Sequence, residues 1–246
     1  MVNNTNNTRS RNFILIGLLL IIFFFTAFHE EYLRLISIPF WGILIVGLVL
    51  SVWLALSIST GRFMSLVFGI IILEYIKETI GIRSNMWTYH GVNGFYSFGV
   101  WAWVFGGVSA YTLSTKMVTR LVKKLKIFLP RWVNTIILIL ISTIIPLALG
   151  NYREGAGFLF FLFYGIILII GIYASTKMDF PVFIGIVISA WFVGNLTEYM
   201  GSVHSGIWDF TYNPNYPPLF LVFGCWPLEI LSQYSLSAFL SGETLN

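Results

Sequence analysis

Three glutamates, Glu229, Glu198 and Glu78, stand inside or at the ends of long apolar stretches. An ionised carboxylate there costs several kcal/mol or more. A carboxylic acid kept from water and without a cationic partner holds its proton, and so can act as a proton donor. FGCWPLE places Glu229 about twelve residues into the last apolar run, with Ser232 and Gln233 on the same helical stripe and Trp226 one turn above. Trp191, Asn195 and Glu198 are spaced i, i+4, i+7, as are Glu74, Glu78 and Gly81. On a helix each set shares one face, and within a membrane such faces turn to a bundle interior or cavity because lipid does not hydrate them. The same groups also have a structural reading as interhelical hydrogen bonds, with Lys77 available to pair with Glu74.

The aromatic residues divide in two. Trp101, Trp103 and Trp226 lie deep in their stretches and are expected to line an apolar pocket, where an indole face attracts a passing cation. Trp87, Tyr89, Trp208 and Tyr212 fall where an interfacial belt would lie. An acid with an aromatic lining is the equipment for adding a proton to an alkene.

The elements that position these groups must be membrane helices. The chain is 57% hydrophobic and 10% charged over 246 residues, with a mean hydropathy of +0.84. Soluble domains carry roughly 25% charged residues. Windows of about 20 apolar residues mark eight stretches: 13–28, 37–58, 63–82, 95–115, 132–150, 157–176, 180–200 and 217–240, the first of them short, so that seven spans is the competing count. With eight spans, the side holding both termini carries ten basic residues. The other side carries four: Arg34, Lys77, Arg83 and Arg153. The positive-inside rule then places both termini in the cytoplasm. MVTRLVKKLKIFLPR, 117–131, is the strongest topological signal and is suited to anionic lipid. The net charge of +4 reads as topology, with no nucleic-acid partner.

The spans repeat. ETIGIRSNMWTY followed by FGVW matches EYMGSVHSGIWDF followed by FGCW. Glu78, Gly81 and Trp87 answer to Glu198, Gly201 and Trp208, with one extra residue before the second tryptophan. Phe98, Gly99 and Trp101 answer to Phe223, Gly224 and Trp226. The expected fold is therefore all-α and integral to the membrane, with two tandem four-helix halves of parallel orientation. A polar N-terminus, 1–12, precedes the first half, 13–116. The basic linker, 117–131, leads into the second half, 132–241. Val104 stands opposite Glu229, so proton chemistry is expected to be asymmetric.

GIWDF followed by Pro-Leu-Glu on the next helix resembles the membrane-bound lycopene cyclases of archaea, bacteria and fungi. The Glu-x-x-Gly and aromatic-loop pattern is similar to the membrane carotenoid hydratases of archaea. Ile230 stands where the cyclase motif Pro-x-Glu-Glu has its second acid, and the first half has WAWVF in place of Pro-Leu-Glu. The resemblance implies redox-neutral protonation of a polyene from within the membrane. Glu229 would be the donor, and Glu198 or Glu78 would position or take back the proton. Trp226, Trp208, Trp101, Trp87, Trp191, Asn195 and Gln233 would line the substrate. No phosphate-binding glycine loop is present, so no nucleotide cofactor is implied. A proton-coupled or lipid-binding transporter is the competing class. A single metal site among His29, Glu30, Glu31, His90 and His204 is a third, with loop solvation as the ordinary alternative. A retinal protein is disfavoured because Lys77 is the one lysine within a span.

Overall fold

The computed structural model describes residues 15–21, 38–90, 99–149, 158–211, 221–243 and 245. A helix stands in each of the eight apolar stretches. They are α1 (15–21), α2 (Ile38–Ala55), α3 (Thr60–Arg83), α4 (Gly99–Leu113) continued by α5 (Thr119–Lys124), α6 (Arg131–Ile139) continued by α7 (Ile145–Leu149), α8 (Phe158–Lys177), α9 (Phe180–Glu198) and α10 (Trp226–Ser241). Among the described residues three helical stretches, Arg131–Ala148, Phe158–Lys177 and Phe180–His204, are long and apolar enough to cross a membrane, and Trp41–Ala55 is a shorter apolar helix. At 1.5 Å per residue the twenty residues of α8 span about 30 Å, the thickness of a hydrocarbon core. Its outward face is apolar: Phe158 is 79% exposed and Ile169 70%. The protein is a helical membrane protein.

Local chemistry sets the helix ends. Ser59 caps α3 by accepting from the Arg62 backbone N–H. Pro181 sits in the first turn of α9, where a missing N–H is harmless, and Pro227 follows a π turn, Leu221–Cys225, that leads directly into α10. Gly242, at φ +67, closes α10 in the left-handed conformation. The stretch 117–131, expected to link the halves, is helical through Lys124. No helix breaker intervenes before Pro130, so α4 runs on through a π turn, Ser114–Val118, into α5.

Two three-residue strands, β1 (Trp87–Tyr89) and β2 (Trp208–Phe210), add to the helices. They pair antiparallel, with Trp87 opposite Phe210 and Tyr89 opposite Trp208. Met86 N–H donates to the Gly81 carbonyl at 2.9 Å, and Ile207 N–H donates to the Gly201 carbonyl at 2.8 Å. Each strand is thus folded back onto the end of the helix before it. The extra residue of the second motif coincides with a π turn, Tyr199–His204, whose wider winding takes up one residue more than an α turn.

At the opposite end of the bundle, Tyr111 and Tyr234 stack with centroids 5.2 Å apart. The Arg62 guanidinium lies over both rings, donates to the Tyr234 hydroxyl at 3.2 Å and pairs with Glu243. Between these ends, α3 and α10 lie side by side and turn their polar residues inward: Glu74, Lys77, Glu78, Glu229, Ser232 and Gln233 are all buried.

Candidate functional site

The site is built around Lys77. Its ammonium lies 2.7 Å from Glu74 Oε2, 3.2 Å from Glu229 Oε2 and 3.7 Å from Glu78 Oε1. It also stands over two indole faces, 4.7 Å from the Trp103 centroid and 5.3 Å from that of Trp226. Residues 74, 77, 78 and 81 recur at helical spacing, so α3 delivers two carboxyls, the ammonium and a glycine to one face. From α10, Gln233 Nε2 donates to Glu74 Oε1 at 3.1 Å. Lys77 thus bridges the Glu74 and Glu229 carboxyls.

Glu229 is therefore not the unpartnered acid that its sequence position suggests. A lysine buried one turn along the facing helix needs a counter-charge as much as the glutamate does, and the two desolvated groups meet. The indole faces of Trp103 and Trp226, expected to await a carbocation, face the ammonium.

Glu78 and Glu198 are held differently. Glu78 Oε2 accepts from Trp87 Nε1 at 2.7 Å and from the Tyr89 hydroxyl at 3.1 Å. Glu198 Oε2 accepts from Trp208 Nε1 at 3.1 Å, and its Oε1 accepts from Trp226 Nε1 at 3.2 Å. Both motifs thus make one contact, a helix-end carboxylate gripping the indole N–H of the strand that follows. Trp87 and Trp208 are buried rather than arrayed as an interfacial belt, because their N–H groups are drawn inward to these carboxylates. Tyr212 lies outside the described residues.

Gly81 and Gly201 make that grip possible. A Cβ on Gly81 would lie 2.0 Å from Trp87 Cζ2, and one on Gly201 1.7 Å from Trp208 Cη2. Gly81→Ala and Gly201→Ala are each expected to cost about 1–3 kcal/mol and to pull the indole off its glutamate. Thermal unfolding and the near-ultraviolet circular dichroism of the tryptophans check this. A wild-type spectrum with unchanged stability would contradict the packing.

A cavity with room for about one water molecule lies between Lys77, Glu78, Glu198, Trp103, Trp208 and Tyr89. Glu78 and Glu198 line it. Glu229 and Glu74 do not. A second, apolar cavity of about 290 Å³ lies between α2, α4 and α9 and reaches the exposed residues Val46 and Phe192.

Asn195 is exposed and donates to its own helix, at the Trp191 carbonyl, 2.8 Å away. The buried stripe of α9 runs through Gly194, Thr197 and Glu198, and Asn195 is turned about 100° from Gly194. It is not part of the cluster. Trp191 is half-buried and donates to the Phe223 carbonyl at 3.0 Å, away from the carboxyls. The Trp101 side chain lies outside the described residues, as do Phe98, His29, Glu30 and Glu31. Among the described residues no three side chains gather as a metal site, and His90 pairs with Asp209 at 2.6 Å.

Lys77 pairs with Glu74 as its spacing suggested and reaches Glu229 and Glu78 as well, while Tyr89, expected in an interfacial belt, is a participant that sequence reasoning did not place here. A lysine in mid-span is as costly as a glutamate, and its position three residues after Glu74 was the available signal.

Fold and site together define a helical membrane protein with a buried ammonium–carboxyl cluster shielded by tryptophans. Comparison with family models, characterised proteins and solved structures finds no match for the chain.

Proposed function

We propose that this protein is an intramembrane acid–base enzyme that acts without redox change on a carotenoid or other polyisoprenoid lipid. The observation that carries the reading is the set of four carboxyls, Glu74, Glu78, Glu198 and Glu229, buried around one ammonium. One positive charge neutralises one carboxylate. Further ionisation crowds like charges in a dry volume, so the cluster is a store of protons.

Glu198 is assigned as the donor. It lines the small cavity and is held by two indole N–H groups rather than by the ammonium. Its proton passes to one carbon of an alkene, the π pair forms the new C–H bond, and a cation is left on the neighbouring carbon. Loss of a different proton to Glu78, which passes it across the small cavity to restore Glu198, gives an isomer, or a cyclised product if a ring has closed first. Addition of water, with return of its proton, gives a hydrated product. Glu78 is the second carboxyl at the cavity and receives the returning proton. The tryptophans exclude water and face the cation. Glu229 and Glu74 hold Lys77 and the reserve proton, which reassigns Glu229 from donor to support.

The resemblance to membrane lycopene cyclases and carotenoid hydratases supports the substrate class. We read the chain as a tandem duplication of four helices, supported by the matching Glu78–Trp87 and Glu198–Trp208 grips and by the pairing of β1 with β2. Eight spans with both termini in the cytoplasm and anionic lipid along 117–131 complete it, supported by the ten-to-four split of basic residues. A proton-coupled carrier is the second reading. It is favoured by one observation, the closure of the bundle by the strand pair at one end and by Arg62, Tyr111 and Tyr234 at the other.

Lipid extraction from a polyene-producing host, with and without the protein, decides between them. A mass gain of one water indicates hydration, and an unchanged mass with altered retention indicates cyclisation or isomerisation. No change in any lipid supports the carrier.

A further inference from the structure

The end of the bundle away from the strand pair carries a recess of about 380 Å³, between the start of α6 and the last turns of α8 and α10. Its wall is divided in character. Arg131 and Lys177 bring cations, while Tyr173, Ala238 and Phe239 bring apolar surface, and Phe239 is 81% exposed. The two cations also stand at a defined depth. Arg131 opens one of the stretches long enough to cross a membrane and Lys177 closes another. Their heads therefore lie where hydrocarbon gives way to headgroups, with Tyr173 one turn further in along α8.

The charges around the recess do not balance. Glu243, which also lines it, pairs with Arg62. Asp179 accepts from Nε and Nη2 of Arg131, at 3.2 and 2.8 Å, and leaves Nη1 to donate elsewhere. Lys177 has no acidic partner among the described residues, and its ammonium rests 5.6 Å from the centroid of the Tyr173 ring. One uncompensated cation at headgroup depth, above an apolar wall, matches an amphiphile with one net negative charge. A zwitterionic headgroup brings its own cation and matches less well.

We propose that this recess is a fixed site for one anionic glycerophospholipid, with the phosphodiester between Arg131 and Lys177 and an acyl chain against Tyr173 and Phe239. It is separate from the general attraction of 117–131 for an anionic surface: it draws on three helices and shares only Arg131 with that segment. It stands independently of the acid–base reading.

The full-length protein, in neutral detergent at physiological salt, is titrated with phosphatidylglycerol or phosphatidylcholine, and the first bound lipid is followed by native mass spectrometry. The wild type is expected to bind phosphatidylglycerol the more tightly. Lys177→Gln is expected to weaken phosphatidylglycerol about five-fold, the worth of one basic residue at a headgroup, and to leave phosphatidylcholine unchanged. Lys177→Arg should keep the preference. Phe239→Ala should weaken both lipids while the thermal midpoint holds. Replacing Lys123 and Lys124 together by glutamine should leave the first phosphatidylglycerol in place. Equal affinity of the wild type for the two lipids, or an unchanged preference in Lys177→Gln, would overturn the site. So would an equal loss in the Lys123 and Lys124 double variant, which would mean diffuse attraction to the basic segment. Undiminished binding to Phe239→Ala would overturn the path of the chain. Excess glycerol 3-phosphate is expected not to displace the lipid, and displacement would mean a soluble phosphate ester is the ligand instead.

Discussion

Replacing Glu198 by glutamine should lower turnover of the polyene by at least about 100-fold, the scale of a single general acid, while the protein still inserts and folds. The amide keeps the shape of the carboxyl, and its carbonyl oxygen still accepts one of the two indole N–H groups that hold Glu198. What it lacks is a proton that an alkene can take. Product formation in nanodiscs measures the loss, and size exclusion with circular dichroism verifies the fold. Glu74→Gln should be milder, because Glu74 does not line the small cavity and already receives an amide N–H from Gln233. If Glu74→Gln proved the more damaging of the two, the assignment of Glu198 as donor would be wrong.

Lys77→Met should be the most destabilising single change in the bundle. Removing one partner of a buried ion pair typically costs about 3–5 kcal/mol, because the charge left behind has no compensation. Here three carboxyls lose their ammonium together, within 2.7, 3.2 and 3.7 Å of the lost nitrogen. The methionine retains most of the side-chain volume, so the loss reports charge more than packing. Adding Glu229→Gln to Lys77→Met should recover part of the stability, since it removes one of the stranded acids. Thermal unfolding in detergent measures both. A Lys77→Met variant as stable as the wild type would mean that the carboxyls hold one another through protons alone and that the lysine is incidental.

The helical membrane fold was legible because apolar length fixes it: α8 and α9 follow almost directly from runs such as FLFFLFYGIILIIG and FPVFIGIVISAWFVG. The burial of Glu74, Glu78 and Glu229 was legible for the same reason, since lipid offers such groups no solvation. The partner of Glu229 was not. Lys77 is 152 positions away along the chain, and neither local spacing nor composition says which of two facing helices supplies the counter-charge. Asn195 was misplaced because spacing shows which residues share a face but not where the buried stripe is centred. On α9 the stripe is centred on Ile186, Ala190, Val193 and Thr197, which leaves Glu198 toward its edge and Asn195 outside it. Trp87 and Trp208 resemble belt residues by position, and only their carboxylate partners distinguish them. The strands escaped notice because three residues are too few to show a period.

Transfer of a hydrogen from the buried acids to carbon is tested most directly by running the reaction in heavy water. The purified protein in nanodiscs is supplied with the linear polyene in D2O, and the product is analysed by mass spectrometry. One deuterium bound to carbon per product molecule is the predicted result, and Glu198→Gln should yield none above background. A polyene recovered unchanged, or a product formed with no deuterium on carbon, would contradict the account.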